Sequence, residues 1–385
     1  MRSRNIAKFA SFIIIFAFIM QMIPTAAVPV HAAGQTDSAG MQVQSEDNST
    51  FKQISYEKYL TQYDKAQNPD VEVLIPADSY SGVEAMETEK LDKFEGSGSI
   101  SVKTGDEGAI EWEVEVPQEG LYNIGIKYYP IEGKSAAAER ELWIDGQIPF
   151  EGARTLLFER VWKNKGETIG QDKRGNDIRP KQVENPMWRE VVLRDKAGYY
   201  NEPFQFYFSK GKHTIKLVSV REPLLIEHLK LYQAPVTPKY ETVEKEYTEK
   251  GYTDTENYID IIQGEAAVLK SDPTLYPMND RASPATEPYH TSKIRLNSIG
   301  GNNWRIAGQW LVWDFEVPED GLYKIAIKYR QNFRRGLFSN RRILIDEKVP
   351  FEQLEKVPFV FDNSWNMKVL GEEEPYLFYL TKGKH

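Results

Sequence analysis

Two stretches of the chain alternate apolar and polar residues with a period of two. In the first, Trp112, Val114 and Val116 share one face of an extended segment, and Tyr122, Ile124, Ile126 and Tyr128 share another beyond a Pro117-Gln118-Glu119-Gly120 turn. In the second, Trp313, Phe315 and Val317 lead through Pro318-Glu319-Asp320-Gly321 into Tyr323, Ile325, Ile327 and Tyr329. Successive side chains of a strand point to opposite faces, so the period predicts strands with one buried face each. Their aromatic and β-branched residues favour the same choice. Proline presets φ at the turn and glycine accepts a positive φ, so each stretch reads as a β-hairpin.

The two stretches are copies. Ten of the fourteen positions from Glu115 to Tyr128 are identical to those from Glu316 to Tyr329, at an offset of 201. The same offset aligns the run from Ile144 to Glu151 with that from Ile345 to Glu352. Trp188 and Leu193 then match Trp365 and Leu370. Glu202 through His213 matches Glu374 through His385 at an offset of 172, so the first copy carries 29 additional residues between Glu151 and Glu202. A period of this length is a whole domain, which makes the chain a tandem duplication and not a solenoid.

Short strands, aromatic pairs and turn signals predict antiparallel β-sandwiches. The expected organisation is a signal peptide at 1–32 and a polar, disordered stretch with a short helix at 33–69. A first sandwich at 70–233 carries its extra segment near 160–187; a linker at 234–256 and a second sandwich at 257–385 follow. The first copy runs on after His213 through Thr214–Ser219 and Ile226–Leu231. No such strands follow His385 here, so the second sandwich is expected to be truncated at its C-terminus, with an exposed sheet edge.

Composition places the chain outside the cell. Arg2, Arg4 and Lys8 precede an apolar run from Phe9 to Ile23 that is short for a membrane span, and small residues follow, as in a secretory signal. The absence of cysteine excludes disulfides, metal–thiolate sites and a lipid-anchored N-terminal cysteine. A cysteine-free exported chain fits the secreted or cell-surface proteins of a Gram-positive bacterium. Net charge is −9, and removing residues 1–32 takes away three positive charges, giving −12. Nucleic acid is therefore excluded as a partner. Arg334-Arg335 with Arg341-Arg342 is the one dense basic cluster, and it reads either as a solvated loop or as a guanidinium clamp for a carboxylate or a hydroxyl-rich ligand.

Taken in order, Glu265-Ala266, Gly300-Gly301, the run from Gln309 to Tyr323, Ile345-Asp346 and Lys382-Gly383-Lys384-His385 resemble the galactose-binding-like jelly-roll modules. Carbohydrate-binding module families 6 and 35 are the nearest. The resemblance covers residues 70–233 and 257–385. It implies an all-β chain of two tandem antiparallel jelly-roll sandwiches that bind polysaccharide or oligosaccharide without catalysis. A narrower resemblance joins Tyr129–Ser135, Arg221-Glu222-Pro223 and Asp280–Tyr289 to the N-terminal region of large extracellular solute-binding proteins of Gram-positive sugar ABC importers. It implies importer membrane components as partners through a further domain. The chain departs from that type by lacking a lipid-anchor cysteine and a two-lobed α/β domain within its 385 residues. A non-catalytic part of a glycoside-active enzyme is a third alternative.

Sugars are held by aromatic faces that stack on their C–H surfaces and by planar polar groups that bond their hydroxyls. In sandwiches of this type the ligand sits on end loops or on a sheet face. The candidates in the first copy are Trp162, Trp188, Tyr199 and Tyr200. In the second they are Asn302, Asn303, Trp304, Arg330, Gln331, Asn332, Asn363 and Trp365. Trp112, Trp143, Trp310 and Trp313 are expected to serve packing. The resemblance also implies a structural Ca²⁺ held by a glutamate of the opening strand, a position that Glu265 matches, with Asp78 and Glu227 as acidic residues in the first copy. Catalysis finds no motif: His31, His213, His228, His290 and His385 form no H-E-x-x-H, and neither G-x-S-x-G nor a phosphate loop is present.

Overall fold

The computed structural model of the protein describes residues 53–255 and 258–385. The signal-peptide reading of residues 1–32 lies outside them. The first copy opens with α1 (Tyr56–Gln62) and continues through β1 (Val73–Pro76), β2 (Gly82–Glu84), β3 (Glu89–Asp92), β4 (Ile100–Thr104), β5 (Ala109–Val116), β6 (Gly120–Pro130) and β7 (Ala138–Ile144). Then come β8 (Leu156–Phe158), β9 (Trp162–Asn164), β10 (Gln182–Glu184), β11 (Arg189–Val192), β12 (Gln205–Phe208), β13 (Gly211–Arg221) and β14 (Leu224–Tyr232).

These strands make an antiparallel β-sandwich. One sheet has the order β11-β6-β14-β4-β3, with β1 also on β14 and β12 also on β6; the other has the order β2-β5-β13-β7-β8. The inward rows of the alternation are buried together: Trp112 and Val114 of β5 and Ile124 and Ile126 of β6 meet Ile215 of β13 and Leu229 of β14 in one core. The hairpin expectation fails, however, because β5 and β6 lie in opposite sheets. The Pro117–Gly120 turn carries the chain across the core. Two strands that face each other and two that lie side by side bury the same alternating positions, so periodicity could not separate them. Gly120 is needed for a close approach: a Cβ there would lie 2.5 Å from the Gln67 carbonyl oxygen, to which Leu121 N donates at 2.8 Å.

The second copy opens with α2 (Tyr240–Glu249), followed by β15 (Leu269–Lys270), β16 (Pro277–Met278), β17 (Ser298–Ile299), β18 (Leu311–Val312), β19 (Glu316–Val317) and β20 (Gly321–Tyr323). It continues with β21 (Ala326–Tyr329), β22 (Phe338–Arg341), β23 (Val357–Val360), β24 (Asn366–Val369), β25 (Phe378–Leu380) and β26 (Gly383–Lys384). The pairs β19–β26, β20–β25, β21–β24 and β22–β23 are antiparallel. They close over a core that includes Val317, Tyr323, Phe351 and Phe378.

The stretch at 234–256, expected as a linker, contains α2. Tyr240, Val243 and Tyr247 recur at helical spacing, and the first two are buried. Tyr240 packs on Phe351 and Tyr376, and its hydroxyl accepts from Leu377 N at 3.0 Å. In the first copy Tyr56 of α1 packs on Phe150 and Phe204, and its hydroxyl accepts from Gln205 N at 2.8 Å. Each unit thus begins with a helix whose tyrosine plugs one end of its sandwich.

Candidate functional site

The extra segment of the first copy reaches the second copy as a clasp. Its strands β9 and β10 join β15 and β18 of the second copy in one four-stranded sheet, order β10-β9-β15-β18. Trp162, expected at a ligand, is buried there opposite Lys270. Lys270 is fully buried as well, and its Nζ donates to Asn164 Oδ1 at 2.5 Å and Gln182 Oε1 at 2.9 Å. Burial brings its pKa down to about 8. Further along the segment, Arg295 of the second copy donates to Gly175 O and pairs with Asp177 at 3.0 Å. Trp310 donates from Nε1 to Glu159, and Arg189 lies over its ring. At the root of the clasp, buried Arg160 bridges Glu184 and Glu222 at 2.9 and 2.7 Å, and Glu222 also accepts from Lys134 N. Two of the three segments that carried the importer resemblance thus meet in one structural ion network.

Trp188 has a different setting. It is half-buried just before β11, its Nε1 donates to Phe94 O at 3.1 Å, and its ring meets Tyr129 edge-on at 5.4 Å. Lys127 Nζ lies 5.6 Å from the ring centre. Lys127 and Tyr129 occupy the outward register of β6, alternating with the buried Ile126, Tyr128 and Pro130. Register puts Glu190, Lys127 and His228 in one row across β11, β6 and β14, with Val192, Gly125 and Lys230 in the next. Lys127 pairs with Glu227 at a bulge in β14, and Lys230 pairs with Glu190. Glu227 is buried, which opposes ionisation, yet its bonds from Lys127 and Ser99 hold its carboxyl below the usual range. A Cβ on Gly125 would stand 2.9 Å from Lys230 Cε, so the glycine lets that lysine lie flat on the sheet. The outcome is an outward face where the rings of Trp188, Tyr129 and Phe94 meet at one end, Phe94 edge-on to Tyr129 at 5.2 Å, with two ion pairs beside them.

The second copy repeats the aromatic at the matching place. Trp365 is half-buried just before β24, and Arg330 lies over its ring at 5.4 Å. Arg330 stands where Tyr129 stands in the first copy, and it pairs with Asp280 at 2.6 Å. Gln331 fixes its own loop, accepting from Phe333 N, while Asn332 and Asn363 are exposed nearby in the sequence. The group at Asn302, Asn303 and Trp304 does not join this patch by any hydrogen bond. Asn302 is exposed, Asn303 donates to Thr274 O, and the Trp304 ring is covered by Arg341 at 4.4 Å. Tyr199 is exposed on a turn that Asp195 caps, and Tyr200 packs against Tyr56 of α1. Sequence reasoning missed Phe94, Lys127, Tyr129 and Lys230. Tyr129 and Lys127 were within reach, since alternation turns them outward.

Glu265 is buried, its Oε2 has no hydrogen-bond partner, and burial raises its pKa to about 7, with Asp177 adding repulsion. Among the described residues no three His, Cys, Asp or Glu side chains gather to share a metal. Two histidines lock turns: His213 Nδ1 bonds Asp145 and Nε2 reaches Ser209 O at 2.9 Å, and His385 does the same with Asp346 and Thr381 O. A ring nitrogen that donates to a carbonyl has no lone pair for taking a proton from Ser209, whose Oγ lies 3.2 Å away.

The fold is thus a tandem of antiparallel β-sandwiches, each with a half-buried tryptophan at the same place. Among solved structures the chain is similar to a family 35 carbohydrate binding module from Clostridium thermocellum, 16% identical, covering 43% of this chain and 99% of that one, TM-score 0.26. It is similar also to the C-terminal CBM6 of LamC from Zobellia galactanivorans, 13% identical, covering 42% of this chain and 100% of that one, TM-score 0.25. The GH26-CBM35 β-(1,4)-mannanase of Podospora anserina is 13% identical, covering 44% of this chain and 30% of that one, TM-score 0.26. No family model and no curated protein matches the chain. At these scores the sandwich assignment stands on sheet pairing, and ligands remain properties of those proteins.

Proposed function

We propose that the protein binds polysaccharide or oligosaccharide chains without transforming them, through the Trp188–Tyr129 face and its counterpart at Trp365–Arg330. The observation that supports this is the repetition of a half-buried tryptophan before β11 and before β24, each beside charged groups fixed in ion pairs. An aromatic edge supplies stacking area, and anchored polar groups supply hydroxyl contacts with little entropy to lose. Affinity electrophoresis through gels containing soluble polysaccharides tests the reading. Retardation should fall for Trp188→Ala and for Trp365→Ala, each with an unchanged near-ultraviolet spectrum. Unchanged retardation in both variants would overturn it.

The same reading includes export from a Gram-positive cell, supported by the sequence of the first 32 residues. Service as an accessory region of a sugar importer draws only on sequence segments, two of which have a structural task at Arg160 and Glu222. Comparison of the chain in culture medium and in cell lysate tests export.

A further inference from the structure

Trp143, expected to serve packing, lies on the solvent side of the first sandwich. Along β7 the inward row includes Ala138, Leu142 and Ile144, which pack in the core, and the alternate row is Glu139, Glu141 and Trp143. Strand alternation sends that second row away from the opposite sheet. Trp143 is half-buried there, and its Nε1 donates to Glu141 Oε2 at 3.0 Å. Arg154 fixes Glu141 in turn, pairing with Oε1 at 3.2 Å. Register puts Trp143 directly opposite Lys216 of β13, and Lys216 opposite Glu111 of β5. Lys216 reaches away from β7: its Nζ lies 2.8 Å from Glu84 and 3.6 Å from Glu111. Trp188, Trp304, Trp310 and Trp365 each have a Lys or Arg over the ring, whereas among the described residues Trp143 has neither a cation nor a second aromatic ring against it.

The second copy separates what the fold requires here from what it does not. At the offset of 201, Glu141 and Arg154 match Arg342 and Glu355, which form the same ion pair with its charges exchanged. Trp143 matches Leu344. Tying β7 to the turn that follows it needs the pair, in either polarity, and does not need the indole.

The groups beside the ring select the charge of what it can hold. Four carboxylates, Glu84, Glu111, Glu113 and Glu141, lie in the rows around it against two cations, Lys216 and Arg154, and both cations are in ion pairs. A polyanion finds repulsion and no free cation on this face. A neutral sugar can stack its C–H surface on the indole, with Thr214 and the exposed Glu113, opposite each other one row along, as partners for its hydroxyls. We propose that this face is a further binding site, which takes a neutral polysaccharide chain laid across β5, β13 and β7. It shares the ligand class of the reading above and none of its residues.

The test is affinity electrophoresis of the full chain carrying Trp188→Ala and Trp365→Ala. The gels contain neutral polymers (hydroxyethyl cellulose, galactomannan and dextran) or the anionic carboxymethyl cellulose. The double variant should still be retarded by at least one neutral polymer, and less by the anionic one at low salt. Adding Trp143→Leu, the residue of the second copy, should cut the remaining affinity at least about fivefold, the scale of an aromatic stack, at an unchanged urea midpoint. Trp143→Phe should retain an intermediate affinity, and it decides the matter where leucine shifts the midpoint. Loss of all retardation in the double variant overturns the proposal while leaving the Trp188 and Trp365 reading in place. Equal retardation with and without Trp143→Leu overturns it as well, and so does stronger retardation by the anionic polymer. A loss with Trp143→Leu, beside unchanged retardation of the Trp188→Ala and Trp365→Ala single variants, supports it and overturns the other reading.

Discussion

Replacing Lys270 by methionine tests whether the clasp between the sandwiches holds a buried, titrating ammonium group. Lys270 is fully buried between Asn164 and Gln182, and burial brings its pKa down to about 8. An exposed lysine titrates near about 10.4, and each unit of difference corresponds to about 1.4 kcal/mol. The charged form is therefore disfavoured in the folded chain by at most ~3 kcal/mol at pH 7. The sign follows from proton binding. Below pH 8 both folded and unfolded states hold the proton, and the stability is flat in pH. Between 8 and about 10.4 the unfolded state holds more protons, so stability rises with pH. Methionine removes this titration and its penalty. It leaves Gln182 Oε1 without a donor, while Asn164 Oδ1 keeps its bond from Gln182 Nε2. An orphaned acceptor costs about 1–3 kcal/mol, so K270M should match the parent closely at pH 7. Urea denaturation from pH 7 to 10.5, at constant ionic strength, provides the two curves. Their difference should stay flat to pH 8 and then rise by up to ~3 kcal/mol in favour of the parent, because the tyrosines and other lysines cancel. A flat difference across the whole range, or one that falls, would refute the assignment.

Glu265 gives the opposite pH slope: its pKa is raised to about 7, so the folded state holds the proton more tightly and stability falls as pH climbs from about 4.5 through 7. Glu265→Gln should remove that fall, which thermal melts between pH 4.5 and 8 would show; an identical slope in the variant would count against it. Arg160→Met should destabilise the first sandwich by about 3 kcal/mol in urea, since it leaves Glu222 buried without its guanidinium partner. A change below about 0.5 kcal/mol, the range of a neutral surface substitution, would mean that Lys134 N alone suffices. Trp188→Ala should reduce glycan retardation, as above, while Trp162→Ala should lower stability, because Trp162 is packed in the clasp.

Strands were readable wherever one face is buried, as in Trp112–Val116 and Tyr122–Tyr128, because the period of two is imposed by the core. Which strands pair was not readable. β5 and β6 face one another across the core, and nothing local distinguishes that from a hairpin. Helix α2 was legible in the spacing of Tyr240, Val243 and Tyr247, but its polar composition resembles a tether. Trp188 and Trp365 stood out through the duplication itself. Trp162 misled because an aromatic in an inserted segment suggests a loop, whereas this insertion adds two strands to a sheet begun by Lys270 and Leu311. That contact joins residues more than a hundred positions apart in the chain, and only the folded structure brings them together.

The insertion also explains why the two aromatic patches can diverge. The first copy uses its extra residues to reach β15, and the ion network of Arg160, Glu184 and Glu222 ties the root of that arm to the sandwich. The arm begins after β8 and returns before Trp188, where β11 pairs along β6. There an aromatic Tyr129 flanks Trp188, and the cations Lys127 and Lys230 are each neutralised by a glutamate. The counterpart face has Arg330 in place of Tyr129, and the run from Gly321 to Ile345 has seven Lys and Arg residues without one Asp or Glu. Asp280 and Glu355 neutralise Arg330 and Arg342, but both come from other segments. Identical placement of the tryptophans therefore presents two different electrostatic environments, one balanced within its own strands and one dependent on acids brought in by folding. Stacking area is common to both, so any discrimination between the two sandwiches has to come from the charges beside the ring, and those are the residues in which the copies differ.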